Sequence, residues 1–238
     1  MKHHFEAFID DLKQTHGRNL SSVILYGSAA AGDFVPFSSD YNILIALHKI
    51  GPADLRNAHA CVREWVRMGH PVPVYFTVSE LQNAADVFPI EFHQMSTARK
   101  VLYGPDVLAE LNISDKFLRL QAEYELRSKL IQLRRQYIPA STTVDGLKAL
   151  MADSLPSFAA LFRAVLIVEG LQPPATKREI VALTCQKVGI DGLPFEKIFN
   201  IRENNFTEKL DEKGANALFG DYMEQIESVI NTVDLLGK

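Results

Sequence analysis

The chain has few of the residues that build covalently linked or metal-bound scaffolds. Its 238 residues include only two cysteines, Cys61 and Cys185, and these lack the paired spacing of a disulfide framework or a zinc site. The seven histidines show neither an i,i+4 pair nor a Cys-His grouping. We therefore expect both cysteines to be small apolar residues inside helices, with no metal-ligand or nucleophile role.

Two further shortages bear on location and partners. No uninterrupted apolar run approaches the roughly twenty residues that span a bilayer, and the N-terminal segment contains Asp10 and Asp11 where a signal peptide would be apolar. We therefore expect a cytoplasmic protein without a membrane contact. A net charge of −4 lacks the basic excess that binds extended nucleic acid. The composition, 47% hydrophobic and 23% charged, is typical of a soluble globular protein long enough for two domains.

What the chain does contain is a concentrated pattern near its N-terminus. An apolar run, 23–26, stops at Gly27-Ser28, and Asp40 precedes a second apolar run, 43–47. This order predicts a strand, a tight turn and a second strand with a carboxylate at its entrance. Gly27 lacks a Cβ and lets the backbone approach a ligand. Ser28 would begin a helical turn suited to a phosphate, and Asp40 would hold a magnesium ion against that phosphate.

On these residues the chain resembles the nucleotidyltransferase superfamily typified by polymerase β, especially the aminoglycoside and minimal bacterial nucleotidyltransferases. Their pattern is an apolar strand, Gly-Ser, Asp-x-Asp on a second strand, and a third acid on a later strand. Gly27, Ser28 and Asp40 match, whereas Asn42 stands in place of the second acid. The resemblance extends to the Leu-Tyr-Gly segment that ends at Gly104. It implies transfer of a nucleoside monophosphate from a nucleoside triphosphate to a hydroxyl, with carboxylate-held magnesium.

The third acid of the pattern is missing. The predicted strand 72–78 contains no Asp or Glu, and aligning Glu80 with an acid that often follows this strand places Val74, or less readily Tyr75, at the acidic position. Glu91 is the best replacement and Glu80 the second. On a strand, Glu91 and His93 would share a face, either as a displaced acid and base or as the polar face of an edge strand.

Alternatives remain for the central pair as well. Alternation along the second strand puts Asp40 and Asn42 on one face, toward the site. Asp40 either holds the metal or caps the turn, and Asn42 either contacts the metal or is a buried amide paired with backbone.

We predict an α+β protein, with a nucleotidyltransferase-fold mixed sheet and helices in residues 1–112 and an all-α helical bundle in residues 113–238. Helices are expected at about 114–137, 144–169, 176–188, 194–202 and 214–236. Four charged bundle residues are candidates to face a substrate: Glu123, Arg127, Arg134 and Arg163. Arg163 lies in an apolar run, so it either pairs with a carboxylate such as Glu123 or contacts the substrate.

Three functions remain open. The first is a protein that binds a magnesium-nucleotide or phosphate ligand with impaired or no transfer activity, alone or with a protein partner. The second is an active nucleotidyltransferase acting on a small-molecule or protein hydroxyl, with Asp40 holding the metal, Asn42 assisting, and Glu91 or Glu80 as base. The third is an antitoxin-like interaction module.

Overall fold

The computed structural model describes residues 2–31 and 41–236. Asp40 and the connection before it, 32–40, lie outside the described residues, as do the last two residues. Internal contacts divide the chain into two compact units, Met1–Ser114 and Asp115–Lys238. The α+β fold class is confirmed, whereas the assignment of residues 1–112 and 113–238 to separate domains stays a prediction.

The first unit alternates short strands with helices. Its elements are α1 (Lys2–His16), β1 (Leu20–Tyr26), α2 (Ser28–Ala31), β2 (Asn42–Leu47), α3 (Pro52–Asn57), α4 (His59–Arg67), β3 (Val74–Thr77), α5 (Val78–Asn83), α6 (Pro89–Thr97) and β4 (Arg99–Tyr103). The strands form one mixed sheet in the order β3-β2-β1-β4. β1 runs antiparallel to β2 and β4, and β2 runs parallel to β3.

Helices cover both faces of this sheet. Leu12 of α1 and Trp65 of α4 pack in one apolar cluster with side chains of β1 and β2, namely Leu20, Val23, Leu25, Ile43, Ile45 and Leu47. The even-numbered Ile24, Leu44 and Ala46 pack on the other face in a cluster that includes side chains of α5 and α6. Both strands are therefore nearly continuous apolar runs, because each side chain meets a covered face.

The segment predicted as an edge strand carrying Glu91 and His93 is a helix, α6, so that prediction is wrong. Pro89 occupies the first helical turn, where its fixed φ favours a helix and its missing N–H is not needed. Phe92 and Met95, three residues apart, are buried against the sheet. The packing of this face outweighs any strand preference of the segment.

The first unit's sheet ends at a glycine that cannot be replaced without a backbone shift. Gly104 has φ +75°, and a Cβ built on it would lie 2.0 Å from the carbonyl oxygen of Ser21. The Ser22 hydroxyl, on the same strand, lies 2.7 Å from the carbonyl oxygen of Pro105 and 3.1 Å from that of Tyr103. The Leu-Tyr-Gly segment therefore packs the end of β4 closely against β1.

The second unit is an all-helical bundle, as predicted. It contains α7 (Asp115–Ala140), α8 (Val144–Val168), α9 (Lys177–Val188), α10 (Leu193–Arg202) and α11 (Glu212–Leu235). α8 continues through Pro156, and α7 ends one residue after Pro139. By length and composition α8 is apolar enough to cross a bilayer, a test that the core helix of a bundle also passes. Its buried side chains, including Phe158 and Phe162, lie in the core of the bundle.

Candidate functional site

Gly27 and Asn42 lie side by side at the ends of the two central strands. Asn42, the first residue of β2, is the cross-strand partner of Tyr26, which precedes Gly27. Gly27 has φ +79°, and a Cβ on it would lie 3.4 Å from the Asn42 amide nitrogen. The Gly27 N–H donates to the carbonyl oxygen of Ala98 at 2.9 Å. The turn at Gly27 therefore lies directly beside the entrance of β2.

The backbone after Gly27 turns into a short helix. The Ala30 N–H donates to the Gly27 carbonyl oxygen at 2.9 Å, and α2 begins at Ser28, where the sequence placed the helical turn. The positions of the Ser28 and Asp40 side chains fall outside what the structure describes, so their roles stay predictions.

An aromatic cluster holds the entrance of β2. It lies on the sheet face that α1 and α4 cover, opposite the face of Asn42. The ring of Tyr41, the residue next to Asp40, lies 5.0 Å from that of Phe5 and 4.8 Å from that of His70. Trp65 is fully buried behind them and donates its indole N–H to the carbonyl oxygen of Pro71. Edge-to-face ring contacts of this kind favour one orientation of the strand end. Sequence analysis missed this anchor, although Tyr41 and Trp65 are visible in the apolar pattern.

The described side chains next to Asn42 on its face of the sheet are uncharged. Tyr26 lies beside Asn42 across the strands, Leu44 follows on the same face of β2, and Val74 of β3 pairs with Leu44. Burial raises the pKa of the Tyr26 phenol, which keeps it neutral. Val74, where alignment placed the missing third acid, packs in the apolar cluster under α5 and α6.

Glu80 has a structural role at the start of α5. Its carboxylate accepts a hydrogen bond from the Thr77 N–H at 2.7 Å, and the Thr77 hydroxyl accepts one from the Glu80 N–H at 3.0 Å. This reciprocal pair is a capping box, which satisfies two backbone donors at the helix start. The spacing of Thr77 and Glu80, three residues apart, is a signal for this role that the sequence itself contains.

Glu91 is an exposed residue in the first turn of α6. Across residues 2–31 and 41–236, no three or more His, Cys, Asp or Glu side chains converge as a metal site. The described part of the chain therefore holds no such cluster around either candidate base.

The charged bundle residues are held by partners inside the bundle. Arg163 donates from Nη2 to the carbonyl oxygens of Pro174 and Ala175 at 2.8 and 3.2 Å. The expected pairing with a carboxylate such as Glu123 is therefore wrong, because the hydrogen bonds of the Arg163 Nη2 go to backbone carbonyls. Burial lowers the pKa of Arg163.

Glu123 forms an ion pair with Arg127 at 2.9 Å, and Arg119 contacts the same carboxylate at 3.0 Å. Arg134 pairs with Glu227 of α11 at 2.7 Å. These contacts are all internal to the helical unit.

The chain has a nucleotidyltransferase fold. The spectinomycin adenyltransferase AAD(9) from Enterococcus faecialis, solved with ATP and spectinomycin, matches with a TM-score of 0.57 at 13% identity, covering 96% of this chain and 99% of that chain. No protein-family model and no curated protein matches the sequence. The resemblance drawn from Gly27, Ser28 and Asp40 is confirmed at the level of the fold.

Proposed function

We propose that the chain binds a nucleoside triphosphate as its magnesium complex, or a related phosphate ligand, and transfers a nucleotidyl group poorly or not at all. The observation that carries the proposal is the apposition of Gly27 and Asn42 at the ends of β1 and β2. It occurs in a fold shared with an adenyltransferase solved with ATP.

The binding side of the proposal rests on backbone and charge. The positive φ and absent side chain of Gly27 leave room for a phosphate beside the backbone. Asp40, two residues before the Asn42 amide, would hold one magnesium ion, since this ion commonly uses one or two protein carboxylates. When bound, that ion supplies neutralisation of phosphate charge. Asn42 would add a neutral dipole only.

The weak-transfer side rests on what surrounds Asn42. Tyr26, Leu44 and Val74 occupy its face among the described residues, and none of them carries a charge that could hold a second cation. Activation of an attacking hydroxyl needs a metal or a base within hydrogen-bond reach. Glu80 caps α5, and Glu91 is an exposed residue in the first turn of α6, so we infer that neither acts as this base.

Calorimetry with the four nucleoside triphosphates, with and without magnesium, tests the proposal. We expect magnesium-dependent binding that Asp40→Ala abolishes. The matched control Asp86→Ala, which removes an exposed carboxylate of the same unit, should retain it. Absence of binding by any nucleotide would refute the proposal and favour an interaction module.

A pyrophosphate-release assay with a panel of hydroxyl acceptors decides between binding and transfer. The adenyltransferase neighbour supports the alternative of an active enzyme that modifies a small molecule. Robust release that disappears in Asp40→Ala would establish that alternative. Weak or no release, together with binding, is the expected result.

The role of Asn42 has its own test. Asn42→Asp places a second carboxylate beside Gly27, so magnesium-dependent nucleotide binding should tighten. Unchanged or weaker affinity would show that Asn42 does not face the metal.

A further inference from the structure

The longest helix of the bundle exposes large apolar side chains at a regular interval. On α7, Phe117, Tyr124, Ile131 and Ile138 follow one another every seven residues, and Leu120 lies between the first two on the same face. Tyr124, Ile131 and Ile138 are 68%, 57% and 73% exposed. We call these five residues the α7 stripe.

The stripe is separate from the face that packs in the bundle. Three buried side chains of α7, Leu126, Leu130 and Leu133, belong to the bundle core. α7 is therefore apolar on two sides, which a helix at the edge of a bundle does not need for folding. A seven-residue apolar repeat is the pattern by which one helix packs along another, because it keeps a single seam facing the partner.

Two arginines fill the gaps in the stripe with their charges already paired. Arg127 and Arg134 each follow an apolar stripe residue by three positions. Arg127 is held by Glu123 at 2.9 Å, and Arg134 by Glu227 at 2.7 Å. Their aliphatic stems can extend an apolar seam while the charged ends remain hydrated at its border.

We propose that the α7 stripe pairs with the α7 stripe of a second copy of this chain, with the two helices antiparallel. The orientation follows from charge. The first part of α7, through Glu125, contains three carboxylates and two cations, whereas the remainder contains four cations and no carboxylate. A parallel pair would set both cationic parts side by side, and an antiparallel pair sets each beside the part that contains the acids.

The available area suits a modest dimer. With roughly 100 Å² exposed on each stripe side chain, the stripe offers on the order of 500 Å² of apolar surface per copy. A standard interface buries about 800 Å² per partner, so the flanking polar residues would supply the remainder. We expect reversible association at micromolar concentration.

Sedimentation velocity of the full chain over a range of concentrations tests the pairing. The wild type should shift from monomer to dimer, and Ile131→Glu should remain monomeric, since it places a carboxylate in the seam. Leu193→Glu is the matched control, because Leu193 is also 57% exposed and lies on α10, away from the stripe. A monomeric wild type throughout, or equal loss of dimer in the control, would overturn the proposal.

Crosslinking tests the orientation and does not depend on the folding of the glutamate variant. Phe117→Cys and Ile138→Cys introduce single exposed thiols, while the native Cys61 and Cys185 are buried. A short bismaleimide should link the two variants to each other when they are mixed, and should link neither to itself. Self-linking of Phe117→Cys would show a parallel pair, and no linkage in any combination would show that the stripes do not meet.

Discussion

Replacing Gly104 with alanine is the sharpest test of how the first unit's sheet is closed. The positive φ of Gly104 costs an L-residue about 1–2 kcal/mol. A Cβ 2.0 Å from the Ser21 carbonyl oxygen forces the backbone apart, which costs a further ~1–3 kcal/mol as overpacking. The shift also removes the close approach of the Ser22 hydroxyl to two carbonyl oxygens, worth about 1 kcal/mol. We expect Gly104→Ala to lower the free energy of unfolding of this unit by ~3–6 kcal/mol.

Gly17→Ala is the control that isolates the steric term. Gly17 has φ +50°, yet a Cβ added to it would meet no other atom within 4 Å, so only the backbone strain of about 1–2 kcal/mol should be lost. Urea denaturation followed by the fluorescence of Trp65, the only tryptophan and fully buried in this unit, measures both variants. Equal losses in the two variants would refute the reasoning, because the contact with Ser21 would then carry no energy.

Three further predictions concern charge and hydrogen bonding. Burial lowers the pKa of His16, with Asp54 opposing the shift, so the unfolded chain binds the proton more readily. The contribution of neutral His16 to the free energy of unfolding is therefore fully present above the unfolded pKa of about 6.5 and is lost as the pH falls below it. His16→Gln should reduce this dependence of the free energy of unfolding on pH, measured by urea titrations at several pH values. Arg163→Ala removes both donor contacts to the segment between α8 and α9 and should cost about 2 kcal/mol in thermal denaturation, whereas an unchanged melting temperature would contradict this role. Glu80→Ala should cost ~1 kcal/mol by loss of the cap without a change in nucleotide affinity, and a fall in affinity at constant stability would instead assign Glu80 to the ligand site.

Helices of the bundle were predictable because their ends carry local signals. Thr176 begins α9 with a capping box to Glu179, and Gly189 ends it in the left-handed conformation. The Thr143 hydroxyl accepts from the Gly146 N–H at the start of α8. Such signals act within a few residues, so the sequence alone contains them.

The failures come from contacts between distant residues. α6 forms because Phe92 and Met95 fit the sheet face, and nothing within the segment itself indicates that surface. Arg163 finds its acceptors at the carbonyl oxygens of Pro174 and Ala175, beyond the end of its own helix. A charge in an apolar run signalled that a partner was needed, and only the packed structure supplies its identity.

The apposition of Gly27 and Asn42 lies between these cases. The residue types and their order were sufficient to predict the turn and the strand entrance, because glycine at positive φ and strand alternation are local properties. Their closeness depends on the antiparallel register that pairs Tyr26 with Asn42. That register follows from the buried faces of both strands, since a slip by one residue would turn every apolar side chain to the wrong face.

The same register explains why a carboxylate missing at position 42 is hard to replace by one at a neighbouring strand position. Asn42, Leu44 and Val74 lie along one covered face, and Val74 sits in an apolar cluster where a carboxylate would have to be desolvated. A second carboxylate is therefore tolerated most easily at position 42, at the open end of the strand beside Gly27. Two divalent cations held close together repel each other, and only closely placed carboxylates offset that repulsion. The amide at position 42 and the apolar side chains further along are therefore the physical basis of our proposal that the strand end holds one cation with a phosphate, in place of the pair that transfer chemistry uses.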